Sequence, residues 1–273
     1  MNGTVLRAII LIQSLGYAAA LFTRILKKKT LSNILWMATA LLSLSLVVNN
    51  FVVNGYVPFV SMYQLLTFQT VMFSLLYLYI RFARDGEWSA PYFIACSEIL
   101  SIGLFFMDAN ASWQFPPALR SVWFVPHIFM YVISYVMAAI AFAMVVTKPI
   151  KLGISARTKS SEKRDGDSDG ISRINRGIFD CVRVIFPFMT AGMFFGAVWA
   201  NEVWGAFWNW DIKECWSLVT WLVYACYIHV GKSEKLKKLS DPLCIIGFVC
   251  VIITFFFVRF MTASSDSMHT YNS

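Results

Sequence analysis

The residues best suited to chemistry in this sequence are three histidines and a cluster of tryptophans. The chain has 273 residues, and its histidines are His127, His229 and His269. Six of its ten tryptophans lie between Trp199 and Trp221, in and beside the stretch WANEVWGAFWNWDIKECW. Imidazole is a good ligand for haem iron, and indole faces suit a large flat aromatic molecule. Whether these side chains act together depends on the elements that position them.

Long apolar runs predict those elements. The chain is 58% hydrophobic and 14% charged, whereas a soluble domain carries roughly 25% charged residues. The runs are close to the ~20 residues that cross a bilayer as a helix. We therefore predict an all-α polytopic membrane protein, with residues 1–273 forming a single transmembrane domain. Its eight predicted spans are 5–25, 31–49, 62–83, 90–107, 124–147, 178–200, 216–230 and 242–260.

The distribution of basic residues predicts the orientation of these spans. With the N-terminus outside, the inner segments 24–29, 81–84, 148–176 and 232–238 carry four, two, eight and four Lys or Arg residues, which is 18 of the 23 in the chain. This asymmetry follows the positive-inside rule, so both termini are predicted to lie outside. The first run is then a retained span and not a signal peptide, because its basic cluster follows the apolar residues.

One of the polar segments between spans is long. Residues 148–176 are rich in Ser, Gly, Asp and Lys and have little to bury, so they are predicted to form a flexible cytoplasmic loop. The net charge of +8 is spread over separate inner loops, which indicates contact with anionic lipids and not with nucleic acid. The six cysteines form no C-x-x-C pair, so zinc and disulfide frameworks are unsupported.

The predicted topology assigns a depth to each histidine. His127, at the outer end of the fifth span, and His269, in the tail, lie on the same side as the tryptophan-rich loop 199–216. His229 lies within the seventh span, roughly 18–20 Å inward from Trp216. An interfacial histidine is unremarkable by itself, and an aromatic belt explains two or three tryptophans. A belt does not explain six, and an ionisable residue within a span is a functional hypothesis by default.

Two outer histidines beside a shelf of indoles suit haem better than zinc. Bis-histidine ligation satisfies haem iron, and aromatic faces contact the macrocycle, whereas zinc requires a more compact set of N or S ligands. The haem propionates need cationic or hydrogen-bonding partners. By sequence, the nearest are Arg120, Lys213 and the indole N–H groups. The predicted cofactor is therefore haem b, iron protoporphyrin IX.

The segment from Trp204 to Asp211, WGAFWNWD, resembles the WWD signature, W-G-x-x-W-x-W-D, of haem-handling membrane proteins. Within that superfamily the chain resembles the CcsA family, the membrane component of System II cytochrome c synthases. The likeness covers most of the chain. It includes VPFVSMYQL at 57–65, the segment 123–127, the WWD loop running into WLVYACYIH, and SMHTY in the tail.

The resemblance implies a role for each histidine. His127 and His269 match the two outer histidines that ligate haem at the WWD site. His229 matches a histidine that ligates a second haem on its way across the membrane, with the other ligand supplied by a CcsB-like partner. The implied activity is a haem lyase step, in which the thiols of an apocytochrome c C-x-x-C-H segment add across the haem vinyl groups; thiol-reducing proteins are further implied partners. The implied haem-contacting tryptophans are Trp199, Trp204, Trp208 and Trp210.

Some positions depart from the family pattern. Family members often have Tyr in place of Phe207, Pro in place of Ile212 and Thr in place of Cys215. Gln64 replaces a Glu, and the tail reads SMHTYN where G-L-H-S-Y-G is common, so no roles are carried over to these positions. We interpret Asp211 as part of the loop's own structure, either as an acceptor for an indole N–H or as a helix cap, with haem contact as the alternative.

Two other functions stay open. A haem-delivery component of the CcmC kind shares the WWD loop but usually has about six spans and forms no thioether. A small-solute transporter would use His229 as a proton relay, although the repeats and broken spans typical of transporters are not evident. The predicted location is the bacterial plasma membrane or the thylakoid membrane, with the WWD site on the external face.

Overall fold

The computed structural model describes residues 3–107, 115–157, 161–231, 233 and 235–257, with the backbone alone for 151–157, 161–168 and 257. In this part of the chain the regular elements are all helical. The prediction of an all-α polytopic membrane protein is confirmed. The α-helices are α1 (Gly3–Ile25), α2 (Lys29–Asn54), α3 (Met62–Arg84), α4 (Ala90–Phe105), α5 (Phe124–Arg157), α6 (Ser161–Trp204), α7 (Ile212–Gly231) and α8 (Ser240–Ile252).

Seven helices in the described ranges are long and apolar enough to cross a membrane, one fewer than the sequence predicts. The helix that differs is α7, the predicted seventh span. Its 20 residues reach about 30 Å, which is enough to cross the hydrocarbon layer. However, Lys213 and Glu214 lie near its first residue and His229 near its last. These residues shorten the continuous apolar stretch of α7 to less than a full span.

The described helices pack as two compact units that divide at Pro117. The single transmembrane domain expected from the sequence stays a prediction. In the first unit, α1 packs on α2 and α4, and α3 packs on the same two helices. Short connections between consecutive helices favour this antiparallel ring. Its interior is partly polar, with Gln13, Ser43 and Ser101 fully buried.

Local sequence signals set the helix ends of the first unit. α2 ends at Gly55, whose φ of 70° suits glycine. α3 begins with a capping box, in which Ser61 Oγ accepts from the Gln64 N–H and Gln64 Oε1 accepts from the Ser61 N–H. Gln64 Oε1 also accepts from the N–H of Val60 at 2.9 Å. Gln64, which departs from the family pattern, therefore stabilises the start of α3.

The second unit is also a ring of four helices, in which α5 and α7 each pack on α6 and α8. At one end, Lys148 on α5 pairs with Asp241 on α8, with Nζ 2.6 Å from Oδ1. At the other end, the start of α5 lies beside the end of α6. The loop 205–211 leads from there into α7.

Helical backbone extends well into the segment 148–176. α5 continues to Arg157, and α6 begins at Ser161, where the sequence predicts a flexible loop. An existing helix adds residues at little cost, because nucleation is the unfavourable step. Lys and Arg, which account for eight residues of this segment, are also good helix formers. The polar composition of this segment does not predict where its helices end, and the flexible cytoplasmic loop stays a prediction.

Candidate functional site

Two glycines let the start of α5 approach α6 closely. Gly192 and Gly196 lie one turn apart on α6. A Cβ atom at Gly196 would lie 2.6 Å from His127 Nδ1, and one at Gly192 would lie 2.7 Å from the Tyr131 ring. These distances are shorter than real contacts, so this approach requires glycine. The small-x-x-x-small pattern, which is common where membrane helices meet, therefore sets the position of His127.

A hydrogen bond determines the tautomer of His127. Its Nδ1 lies 2.9 Å from the backbone carbonyl oxygen of Gly192. Because a carbonyl oxygen only accepts, Nδ1 carries the proton of the neutral ring, and the lone pair is then on Nε2. Metal-ligating histidines commonly donate their other ring nitrogen to a carbonyl or carboxylate in this way. His127 thus has the tautomer that ligation of iron through Nε2 requires.

Trp199 is the centre of an aromatic cluster around His127. Its side chain is buried, and its Nε1 donates to the carbonyl oxygen of Ala118 at 2.8 Å. Its ring centroid lies 5.6 Å from that of His127, 5.3 Å from that of Phe124 and 5.1 Å from that of Trp204. A buried, hydrogen-bonded indole has a well-defined position. Trp199 therefore supports the His127 ring from one side.

The segment that precedes α5 is tied to the end of α6. Ser121 Oγ donates to a carboxylate oxygen of Glu202 at 2.7 Å and accepts from the N–H of Trp123 at 3.1 Å. The Trp123 ring stacks on Phe195, with the ring planes 23° apart. Together with the hydrogen bond from Trp199 to Ala118, these contacts hold residues 118–123, which precede α5 and His127, against the end of α6.

The loop 205–211 presents tryptophans through two residues with positive φ. Gly205, at φ 77°, ends α6 and donates to the carbonyl oxygen of Asn201 at 2.9 Å. Trp210 has a φ of 58°, which is uncommon for a residue with a side chain, and its indole is 71% exposed. Trp208 meets Trp210 edge to face, with ring centroids 5.9 Å apart. Strained conformations of this kind concentrate at ligand sites.

Asp211 caps α7. Its Oδ1 accepts from the N–H of Glu214 at 2.8 Å, and Glu214 Oε2 accepts from the N–H of Asn209 at 2.8 Å and that of Asp211 at 3.4 Å. This reciprocal pair has the form of a capping box. Of the alternatives for Asp211, the helix cap is the one that these contacts favour. The cap also fixes the loop residue Asn209, which lies between Trp208 and Trp210.

The donors of this site fit an iron porphyrin with propionate groups. His127 has an Nε2 lone pair of the kind that ligates haem iron. The Trp208 Nε1 is buried and has no hydrogen-bond partner within the described ranges, so it is a donor that an anionic oxygen would satisfy. Arg120 and Lys213, the predicted propionate partners, both have exposed side chains. Exposed and half-buried indoles supply flat apolar surface beside these donors.

The other two histidines lie elsewhere in the chain. His229 is exposed in the last turn of α7, about 25 Å along the helix from Ile212. It is therefore at the opposite end of α7 from the tryptophan-rich loop. His269 lies outside the described residues, so its role as the second outer ligand stays a prediction.

Comparison with known proteins decides the family. The model of the family described as "Cytochrome C assembly protein" matches residues 59–264. The chain belongs to this family. It is 26% identical over 270 residues to "Cytochrome c biogenesis protein CcsA" of Glycine max, which covers 84% of this chain and 82% of that protein. The CcsA proteins of Nymphaea alba and Trieres chinensis are 29% and 28% identical, over 84% and 82% of this chain and 81% and 80% of their own lengths.

Membership in the cytochrome c assembly family establishes the broad function. The chain is an integral membrane protein of cytochrome c biogenesis, and the predicted resemblance to CcsA is confirmed. The family implies that its members handle haem in the context of a cytochrome c synthase and its apocytochrome substrate.

Sequence analysis missed several residues that position the site in this family member. The Gly192 carbonyl and the absence of a side chain at Gly196 orient His127. The spacing G-x-x-x-G within a span was a usable signal for both glycines. Glu214 completes the cap of α7, and the pattern Asp-x-x-Glu before a helix was the signal. The link between Ser121 and Glu202 has no comparable signal, because its partners are far apart in sequence.

Proposed function

We propose that this chain holds haem at the tryptophan-rich loop and presents it to apocytochrome c for covalent attachment. The iron ligands in this proposal are His127 and His269. Haem is the substrate, because it leaves with the finished cytochrome. The indoles that contact the macrocycle are those of Trp199, Trp204, Trp208 and Trp210.

The hydrogen bond from His127 Nδ1 to the Gly192 carbonyl is the observation that carries the proposal. It puts the lone pair on Nε2 and restricts rotation of the ring. It also makes the ligand more basic, because the carbonyl oxygen stabilises positive charge that develops on the imidazole when Nε2 binds iron. A histidine that only packed in an interface would not need this orientation beside a strained, tryptophan-rich loop.

The tryptophans have separate tasks in this proposal. Trp199, buried and bonded to Ala118, is a rigid support for the ligand. Trp208 donates its N–H to a propionate oxygen, which satisfies an otherwise unpaired buried donor. Trp210, exposed on the loop, lies against the macrocycle and excludes water from one face. Asp211 and Glu214 act indirectly, by capping α7 and thereby holding the loop that carries Trp208 and Trp210.

The chemistry requires orientation more than activation. Each cysteine thiol of the C-x-x-C-H segment adds across one vinyl C=C bond. Sulfur bonds to one carbon and hydrogen to the other, so atoms balance and no net oxidation occurs. Holding two reactants in register can contribute about 7–11 kcal/mol to lowering a barrier. The protein supplies this by fixing the haem through two imidazoles while the vinyl groups stay accessible to the thiols.

His229 belongs to a separate step in the proposal. It ligates haem on the route across the membrane, and a CcsB-like subunit supplies the second ligand. Its exposure on the surface of α7 leaves the imidazole accessible to a partner within the membrane. The basic inner segments favour an external position for the tryptophan-rich loop. The membrane is that of a bacterium or of an organelle, since the relatives compared come from plants and a diatom.

The proposal is tested by cytochrome maturation in cells that express the chain, a CcsB-like partner and a reporter apocytochrome c. His127→Ala is expected to abolish the covalent haem signal of the reporter, whether haem is made inside or supplied from outside. His229→Ala is expected to abolish the covalent haem signal when haem is made inside the cell, and the signal is expected to return when haem is supplied from outside. The two variants are matched, since each removes one imidazole from the same chain.

Two outcomes would contradict the proposal. Maturation at the wild-type level by His127→Ala would remove the haem ligand from the mechanism. Haem that binds through His127 but reaches the reporter without thioether bonds in a purified system would favour the haem-delivery function.

A further inference from the structure

A polar cluster lies at mid-depth in the first unit. Glu98 on α4 accepts a hydrogen bond from Ser14 Oγ at 2.8 Å, and Gln13 Nε2 donates to Ser101 Oγ at 2.7 Å. Ser14 is the central residue of α1 (Gly3–Ile25). The cluster therefore lies where a span is furthest from water on both sides.

Three buried polar atoms of this cluster have no hydrogen-bond partner among the described residues: Glu98 Oε2, Gln13 Oε1 and Ser97 Oγ. Gln13 and Ser97 are both 0% exposed. When Glu98 is ionised, its Oε2 and Gln13 Oε1 are both acceptors, so they cannot satisfy each other, and Ser97 brings a single O–H donor. Among the described residues the cluster contains no positive charge.

The charge of Glu98 is not compensated within the first unit as described. The other Lys, Arg, Asp and Glu residues of α1 to α4 lie within four residues of a helix end. Arg24, at the inner end, already pairs with Glu87 at 3.3 Å, and Glu87 is about 16 Å from Glu98 along the helix. Arg7 is exposed and about 10 Å along α1 from Ser14. An unpaired carboxylate at this depth is strongly unfavourable.

The uncharged titratable groups nearby do not supply the missing charge. Tyr17 on α1 lies within electrostatic range of Glu98. Its hydroxyl is hydrogen-bonded to Ser43 Oγ on α2 at 3.0 Å and to Ser74 Oγ on α3 at 3.4 Å. These bonds link α1, α2 and α3 beside the cluster without bringing a cation to it. The remaining titratable residues of α3 and α4 are Tyr63, Tyr77, Tyr79, Tyr92 and Cys96.

We propose that Glu98, Gln13 and Ser97 form a binding site for one monovalent cation, a proton or an alkali ion, in the first helical unit. A single positive charge neutralises Glu98 and is shared by the oxygens of Gln13 and Ser97. The residues of this site all belong to the first compact unit. The site makes the stability of this unit depend on the cation concentration, since a ligand that binds only the folded state stabilises it.

Labelling by dicyclohexylcarbodiimide, which modifies protonated carboxyl groups in apolar surroundings, tests the proposal on the purified full-length protein. Peptide mass spectrometry reports modification of Glu98. If the site takes an alkali ion, sodium at ten times its Kd is expected to slow labelling about 10-fold, while choline chloride of equal ionic strength does not. If it takes a proton, labelling is expected to fall as pH rises and to ignore sodium.

Thermal unfolding provides the second measurement. The wild-type Tm is expected to change with pH or sodium, and Glu98→Gln is expected to lose that dependence while keeping the side-chain shape. Asp180→Asn, which removes an exposed carboxylate in the second unit, is the matched control and is expected to keep it. Gln13→Leu is expected to weaken cation binding without removing the charge, and it replaces Glu98→Gln if that variant does not fold. The proposal would be overturned if neither the labelling of Glu98 nor the Tm of the wild-type protein changed with pH or with sodium concentration.

Discussion

Replacing Gly196 by alanine tests how α6 positions His127, the proposed haem ligand. The new Cβ would lie 2.6 Å from His127 Nδ1 and 2.7 Å from its Cε1. The imidazole cannot swing aside freely, because it is bonded to the Gly192 carbonyl and lies beside Trp199. The substitution therefore either separates α5 from α6 or displaces the ring.

The size of the effect follows from the distance. The ring has to retreat by about 0.8 Å to reach the 3.4 Å of ordinary contact. Overpacking of this kind lowers the free energy of unfolding by about 1–3 kcal/mol. A misplacement of about 1 Å at a reacting group lowers the rate about 100-fold. We therefore expect a Gly196→Ala protein that is less stable and matures cytochrome c about 100-fold more slowly.

The assay combines thermal unfolding in detergent with covalent haem in the reporter cytochrome. Gly103→Ala is the matched control, because it makes the same change in α4 at a position with no atom within 4 Å of the new Cβ. The control is expected to keep full activity and to gain up to about 1 kcal/mol from helix propensity. If Gly196→Ala matched this control in stability and maturation, the close approach of α6 to His127 would not position the ligand.

Four further predictions concern single side chains. Asp211→Ala is expected to lower the free energy of unfolding by about 1 kcal/mol through loss of the cap, and Asp211→Ser to keep most of it; a loss of bound haem in Asp211→Ser, seen by absorption, would instead indicate a haem contact. In the haem-free protein, Trp199→Phe is expected to lower the free energy of unfolding by about 1 kcal/mol, because the hydrogen bond to the Ala118 carbonyl oxygen is lost. Trp208→Phe is expected to weaken haem retention and to lower the free energy of unfolding by less than Trp199→Phe does. A larger loss of stability in Trp208→Phe than in Trp199→Phe would contradict the assigned roles. Arg24→Ala is expected to cost about 2 kcal/mol, because the buried guanidinium bonds the carboxylate and backbone carbonyl of Glu87; unfolding identical to wild type would show that these bonds are not made.

The spans were predictable because the bilayer thickness sets their length. α1, α3 and α4 begin and end close to the predicted positions, and turn signals such as Gly55 mark some of the ends. The end of α5 at Arg157 and the start of α6 at Ser161 were not predictable from hydrophobicity, since polar residues extend a helix into water without a change in apolar pattern. The division into two units was not predictable from the sequence either, because it depends on which helices pack against one another.

The residue types of the candidate site could be predicted from the sequence, whereas most of the contacts that position them could not. Residue types and topology singled out His127 and the tryptophans, and a cap at Asp211 was among the alternatives. The partner of His127 was not predictable, because the Gly192 carbonyl faces the imidazole only when α5 and α6 take one particular rotation. Likewise, the unusual backbone of Trp210 reflects the route of the loop between two packed helices and has no signature in its side chain.

Spectroscopy of the iron tests the central claim, that His127 ligates haem, most directly. The chain is purified with its CcsB-like partner, and low-temperature electron paramagnetic resonance is recorded for wild type, His127→Gly and His127→Gly with added imidazole. We predict a low-spin bis-imidazole signal from the external haem in wild type, its loss in the variant, and its return with imidazole. The same low-spin signal and haem content in His127→Gly without imidazole would contradict the claim.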